Sequence, residues 1–203
     1  MPGAGIADLF DLDVAGIPLR FPESKMDKKG RKQDMIHIYC GDGKGKTTAA
    51  MGLALRAAGS GKKVLVLQFF KDGKSSEFRA LEQVAGIETV PQTRFFGFIW
   101  NMTDQEKEEA RAYYSGLLES AIARAPDFDM LVLDEAMSAC TNRMIDEERL
   151  LDFLRSRPEG LEVVMTGRNP SRAMTDAADY VTEMRKIKHP FDNGIGARLG
   201  IEY

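Results

Sequence analysis

Apolar and polar positions follow two rhythms along this chain. Short apolar-rich runs fall at residues 35–39, 64–70, 87–90, 130–135, 161–166 and 180–184. Each is too short for a helix of ordinary length and has strand composition. The run at 64–70, Val-Leu-Val-Leu-Gln-Phe-Phe, is apolar on both faces, as a strand buried in a parallel sheet must be. Helical spacing fills the intervals. An Ala/Leu-rich segment covers 49–58, ended by Gly59-Ser60-Gly61, and a shorter helix is expected at 78–85. Thr103-Asp104-Gln105-Glu106 is a capping box. Behind it Ala110, Tyr113, Tyr114, Leu117, Leu118, Ala121, Ile122 and Ala125 form one stripe, read as core rather than as a cofactor surface. Further helices are expected at 145–157, stopped by Pro158 and Gly160, and at 171–178. Strands alternating with helices predict an α/β fold with a mainly parallel central sheet, helices on both faces, and a ligand site at the carboxyl ends of the strands.

One junction carries chemistry. Between the run at 35–39 and the helix at 49–58 lies Cys40-Gly41-Asp42-Gly43-Lys44-Gly45-Lys46-Thr47-Thr48. Strand, glycine-rich turn, Lys-Thr and helix are the context of a P-loop. Its glycines let backbone N–H groups turn toward phosphate oxygens, and the helix N-terminus adds partial positive charge. Lys46 then reaches the outer phosphates and the Thr47 hydroxyl ligates magnesium. The first glycine comes one residue late, at Gly41, where the usual spacing places it at position 40. The reading is a nucleoside triphosphate site in a P-loop (RecA-like) nucleotide-binding fold.

Other strand ends add polar groups: Gln68, Asp134-Glu135 and Thr166-Gly167-Arg168. An apolar strand ending in Asp-Glu is the Walker B pattern, whose carboxylates hold magnesium directly or through water. Arg168 is a candidate clamp for triphosphate charge, and Arg56 either joins it or pairs structurally. His37, inside a strand, reads as a satisfied core residue, while His189 is open between site lining and surface. Phe98 and Trp100 would share one face of a strand; spacing alone makes them core.

Composition narrows the classes. The chain has 203 residues, 43% of them hydrophobic, enough for one domain with a sizeable core. A net charge of −3 argues against non-specific nucleic-acid binding and against a DNA motor. Two cysteines, Cys40 and Cys140, form no disulfide framework and fit a reducing, cytoplasmic setting. No apolar run approaches a membrane span of about 18 residues. Residues 1–34, ending in the charged stretch 23–34, form an N-terminal extension ahead of the domain at 35–203. It reads either as a tail or as a segment folded over the site. The motif does not decide between γ-phosphoryl transfer (kinase or ATPase) and other ATP chemistry. Glu135 would serve as a kinase base, but no Arg/Lys-rich lid is evident.

The stretch 39–50 resembles the nucleotide loop of P-loop-type ATP:cob(I)alamin (corrinoid) adenosyltransferases, in which a late first glycine is usual. Arg56-Ala57-Ala58-Gly59, Gln68-Phe69, Gly97-Phe98-Ile99-Trp100, Val132-Leu133-Asp134-Glu135 and Arg157-Pro158 are similar too. So are Thr166-Gly167-Arg168, Ala178-Asp179, Lys188-His189-Pro190-Phe191 and Gly200-Ile201-Glu202-Tyr203. The likeness spans about 35–203; Ala136-Met137-Ser138-Ala139-Cys140 departs from it, lacking the expected Asn or Tyr. The resemblance implies that cobalt(I) of a corrinoid attacks C5′ of ATP and displaces triphosphate, with Mg2+ (or Mn2+) as cofactor. It implies that the loop residues 41–48 with Arg56 and Arg168 bind ATP, and that Thr47, Asp134 and Glu135 hold the metal. It also implies that Phe98 and Trp100 bear on the corrinoid face, and that an electron-donating reductase such as a flavoprotein is a partner. Homodimerisation stays open.

Overall fold

The structure is a computed structural model and describes residues 34–71, 76–97 and 99–202. The extension at 1–33, most of the polar loop at 71–77, Phe98 and Tyr203 lie outside the described residues.

Six parallel strands form one sheet in the order β3-β2-β4-β5-β1-β6. These are β1 (Ile36–Cys40), β2 (Val64–Gln68), β3 (Ile87–Thr89), β4 (Met130–Asp134), β5 (Glu162–Thr166) and β6 (Tyr180–Glu183). Period-2 alternation divides their side chains between two cores. Leu65, Leu67, Leu131, Leu133, Val163 and Met165 face one side. There they meet α3 (Asp104–Arg124), α4 (Ala136–Thr141), α5 (Glu147–Ser156) and α6 (Arg172–Ala177). Val64, Val66, Met130, Val132 and Val164 face the other side, against α1 (Lys46–Gly59) and α2 (Ser76–Leu81). Helices therefore cover both faces, as expected for an all-parallel sheet.

That parity also aims the strand ends. Gln68, Asp134 and Thr166 continue the alternation of Val66, Val132 and Val164, so they end on the α1 side. Register completes the alignment, with Gln68 opposite Asp134 and Thr166 opposite Tyr39. Three polar side chains, each fully buried, thus meet beside the N-terminus of α1.

Local signals behave as the sequence suggests. Thr103 and Glu106 form the reciprocal capping box of α3. Its stripe is core: Ala110, Tyr114, Leu118 and Ala121 are buried, and Tyr113 and Leu117 pack partly buried against them. Ser171 caps α6. Four differences have physical causes. Helix α1 begins at Lys46, three residues earlier than expected, because Gly45 at φ 115° turns the loop directly into helix. Helix α5 begins at Glu147 because the Asp146 side chain accepts from Arg149 N–H as an N-cap. Helix α4 has no counterpart in the sequence reading; six residues of weak pattern carry too little periodicity to announce it. Residues 99–101 form a 3-10 turn, not a strand, so alternation does not govern Trp100.

Strand β6 differs from the rest, since all four of its residues are exposed. Its continuation supports the glycine-rich loop. Met184 N–H donates to Cys40 O (2.8 Å), Gly43 N–H to Met184 O (2.6 Å), and Lys186 N–H to Asp42 Oδ1 (2.9 Å). This close approach explains the glycines. A Cβ on Gly41 or Gly43 would lie 2.5 or 2.6 Å from the Met184 carbonyl oxygen, and Gly41 also needs φ 102°. Gly41 stands where it does because the segment after β6 crosses the loop at that point.

Candidate nucleotide site

Asp134 is the hub of the site. Its Oδ1 accepts hydrogen bonds from Thr47 Oγ1 (2.9 Å) and Thr166 Oγ1 (2.6 Å). Its Oδ2 accepts from Gln68 Nε2 (2.9 Å), and that amide also donates to Glu77 Oε1 (3.1 Å). Burial pushes the Asp134 carboxyl above its ordinary range, while Thr166, Gln68 and Thr47 pull the other way. A fully buried carboxylate held by three uncharged donors is a site suited to a cation.

Glu135 follows in the left-handed region at φ 60°, costly for a residue with a Cβ. It is held by Thr166, whose hydroxyl accepts from Glu135 N–H (2.9 Å) while donating to Asp134. Ser138 Oγ donates to Glu135 Oε2. One threonine hydroxyl therefore couples both carboxylate residues. Gly167, at φ 150°, leaves room for Met137, whose Cβ would be 2.8 Å from an added Cβ.

Lys46 is buried, and its Nζ donates to Gly43 O (2.9 Å). Burial lowers its pKa; Glu135 and Asp134 oppose that shift, and Arg168 reinforces it. The cradle bounded by Lys44, Gly45, Lys46, Thr47, Thr48 and Glu135 encloses about 140 Å³ and is closed on one side by Ile201 and Glu202. It borders a cleft of about 600 Å³ along the outer face of α1, past Met51 and Leu55.

The candidate residues thus fall into groups. Gly41, Asp42, Gly43, Lys44, Gly45, Lys46, Thr47 and Thr48 make the loop and helix entry, and Asp134 and Glu135 meet them. Arg168 is exposed on the loop after β5, close enough to bear on Asp42 and Lys46. Arg56 does not join them. It is exposed in the last turn of α1, ten residues from Lys46 and about 15 Å along the axis. That is beyond the span of its side chain, so within one chain it is not a phosphate clamp. Trp100 is 77% exposed, which overturns the core reading of that residue; Phe98 lies outside the described residues. His37 is satisfied but only half-buried, at the opposite end of the sheet. Its Nε2 is 2.5 Å from Glu162 Oε1, and its ring stacks on Tyr180. His189 is half-buried and its Nδ1 accepts from Phe191 N–H (3.2 Å).

The sequence reading named no role for Thr166 beyond a polar strand end, nor any for Glu202. Strand parity with Val164 was the available signal for Thr166. Glu202 reaches the cradle by long-range folding that no local pattern announces.

A parallel sheet with a glycine-rich loop opening α1, and a buried aspartate against the loop threonine, defines a P-loop nucleotide-binding domain. The family model described as ATP:corrinoid adenosyltransferase BtuR/CobO/CobP matches residues 32–203, and the chain belongs to that family. The corrinoid adenosyltransferase CobA of Salmonella typhimurium is 35% identical over 181 residues, covering 89% of this chain and 91% of the relative. The corrinoid adenosyltransferase of Escherichia coli K12 is 36% identical over 172 residues, covering 85% and 87%. That of Pseudomonas aeruginosa is 32% identical over 185 residues, covering 89% of each.

Proposed function

We propose that this chain transfers the 5′-deoxyadenosyl group of ATP to cobalt(I) of a corrinoid and releases tripolyphosphate. The observation that carries this reading is the cradle of Lys46, Thr47 and Asp134, found in a chain of the corrinoid adenosyltransferase family. Two electrons of cobalt(I) form the cobalt–carbon bond, and the C5′–O5′ pair leaves with the triphosphate oxygen. Cobalt(I) is itself a strong nucleophile, so no protein base is needed. What the chain must supply is alignment of C5′, exclusion of water, and neutralisation of a leaving group that gains charge. Lys46, the loop N–H groups and the α1 N-terminus meet that charge, and Arg168 adds a second cation. The hard oxygen donors Thr47, Asp134 and Glu135 fit Mg2+ or Mn2+, which when bound screens the phosphate oxygens.

Trp100, exposed and carrying no charge, offers apolar bulk of the kind that keeps water and the lower axial base from corrinoid cobalt; Phe98 shares that role in our reading. Loss of the lower ligand makes cobalt(II) easier to reduce, and the electron comes from a separate reductase such as a flavoprotein. Two buried free cysteines suit work in the reducing cytoplasm, and among the described residues no helix is long and apolar enough to cross a membrane. A homodimer is part of the same reading, and would offer Arg56 a route to a site other than its own. The direct test is to mix the protein with MgATP and chemically reduced cobalamin and follow absorbance. Formation of an alkylcobalamin spectrum that requires all three supports the proposal, and an unchanged spectrum overturns it.

A further inference from the structure

The phosphate cradle contains a charge that works against its purpose. Glu202 lines the same cradle as Lys44, Lys46 and Thr47, where incoming triphosphate oxygens must go, and it lies close enough to Lys44 to feel its charge. Its side chain is only 18% exposed, against 61% for Arg198, its partner. Arg198 grips it three ways: N–H to Oε2 (2.8 Å), Nε to Oε2 (3.2 Å) and Nη2 to Oε1 (2.9 Å). A turn closes the pair, with Ile201 and Glu202 N–H groups donating to Arg198 O. Arg198 and its neighbours have little burial to hold them: Ile195 and Leu199 are more than half exposed. An anionic side chain thus occupies the rim of an anion cradle, on a weakly packed segment, and holds a guanidinium beside it.

We propose that Arg198 is a triphosphate ligand held in reserve: Glu202 keeps it at the rim of the empty cradle, and nucleotide phosphate displaces the carboxylate and takes over the guanidinium. The exchange is chemically matched, because a guanidinium binds phosphate with the same bidentate fork it offers a carboxylate. The Arg198 contacts hold the Glu202 carboxyl near pH 2, helped by Lys44, so the competitor is charged at every working pH. Arrival of triphosphate removes one carboxylate from the cradle and adds one cation. That gain is largest for the product-like leaving group, the most highly charged species in the reaction. The inference rests on the phosphate-cradle reading above, and identifies a further residue for it.

The test is calorimetric titration of the full chain with inorganic tripolyphosphate and Mg2+, using Arg198→Ala, Glu202→Gln and the double variant. Thermal unfolding of each checks that the fold is kept, as expected for a pair on a weakly packed segment outside the two cores. Glu202→Gln should bind several-fold more tightly than the unmodified chain. Arg198→Ala should bind roughly five- to tenfold more weakly, the worth of one exposed charge-assisted contact. The decisive comparison is within the Glu202→Gln background, where Arg198→Ala should cost the same factor again. No effect there would mean that Arg198 acts only by holding Glu202, and would overturn the proposal. If the unmodified chain binds no tripolyphosphate, the cradle assignment falls and the reserve-ligand role with it. If it binds but ignores both substitutions, only the role of Arg198 falls.

Discussion

Thr166→Val removes one hydroxyl and leaves the shape of the side chain nearly unchanged. That hydroxyl donates to the buried Asp134 carboxylate at 2.6 Å and accepts from Glu135 N–H at 2.9 Å. Losing a hydrogen bond to a charged group costs about 1.5–3 kcal/mol, and leaving a largely buried N–H unpaired costs about 1–3 kcal/mol. The added methyl returns about 0.8 kcal/mol of apolar burial. The net is a loss of about 3 kcal/mol, which in a domain of this size lowers Tm by roughly 6–12 °C. The function should suffer separately. Asp134 loses the donor that does most to hold its carboxyl down against burial, and Glu135 loses the bond that fixes its left-handed turn. Orienting groups behind metal ligands are commonly worth about 10–100-fold in metal affinity, so Mg2+-dependent ATP binding should weaken by at least about tenfold. Thermal unfolding by circular dichroism and titration with MgATP measure the two effects. Thr166→Ser, which keeps the hydroxyl, is the control and should hold both MgATP affinity and most of the stability. A Tm within about 2 °C of the unmodified protein, together with unchanged MgATP affinity in Thr166→Val, would refute the coupling role.

Two other predictions concern places far from this bridge. Trp100→Ala should leave Tm within about 2 °C, because an exposed ring contributes little burial. Activity should fall sharply when the assay starts from cobalt(II) with a mild reductant and much less with ready-made cobalt(I); equal losses would remove Trp100 from the corrinoid role. At the lower end of the sheet, burial opposes ionisation of Glu162, but the bonds from His37 and Met35 N–H outweigh it and hold the carboxyl below its ordinary 4.5. Its ionised form therefore adds stability that is complete above that value and is lost as pH falls through the lower, folded-state value. Glu162→Gln should flatten the acid limb of stability, read from urea midpoints between pH 5 and 3, and an unchanged slope would contradict this.

The sequence carries the parallel α/β class plainly, because short apolar runs without polar alternation have few other homes. The loop at 41–48 and the Asp134-Glu135 pair were equally legible, since their chemistry is local: glycines, a lysine and a hydroxyl at fixed offsets. Strand parity even contains the convergence of Gln68, Asp134 and Thr166, although the role of Thr166 as a bridge depends on register between β1, β4 and β5. Other features depend on contacts across the fold. The late glycine Gly41 reflects a crossing by Met184 about 140 residues later. Glu202 reaches the cradle that Lys46 lines from the far end of the described chain. Arg56 illustrates the opposite error, for a position on the right helix is not a position at the site: ten residues of helix carry it away. For Trp100 the core reading from spacing alone failed, because alternation was applied to what is a 3-10 turn.

The central claim is that ATP is cut at C5′ and not at the γ-phosphate. The measurement that tests it most directly is the phosphate product of a single adenosylation, quantified with the alkylated corrinoid in the same sample. The account predicts one tripolyphosphate per cobalt–carbon bond formed, little orthophosphate, and no turnover without corrinoid. Orthophosphate released steadily in the absence of corrinoid, or ADP formed with a hydroxylated acceptor, would contradict it and return the chain to the γ-phosphoryl chemistry of an ATPase or a kinase.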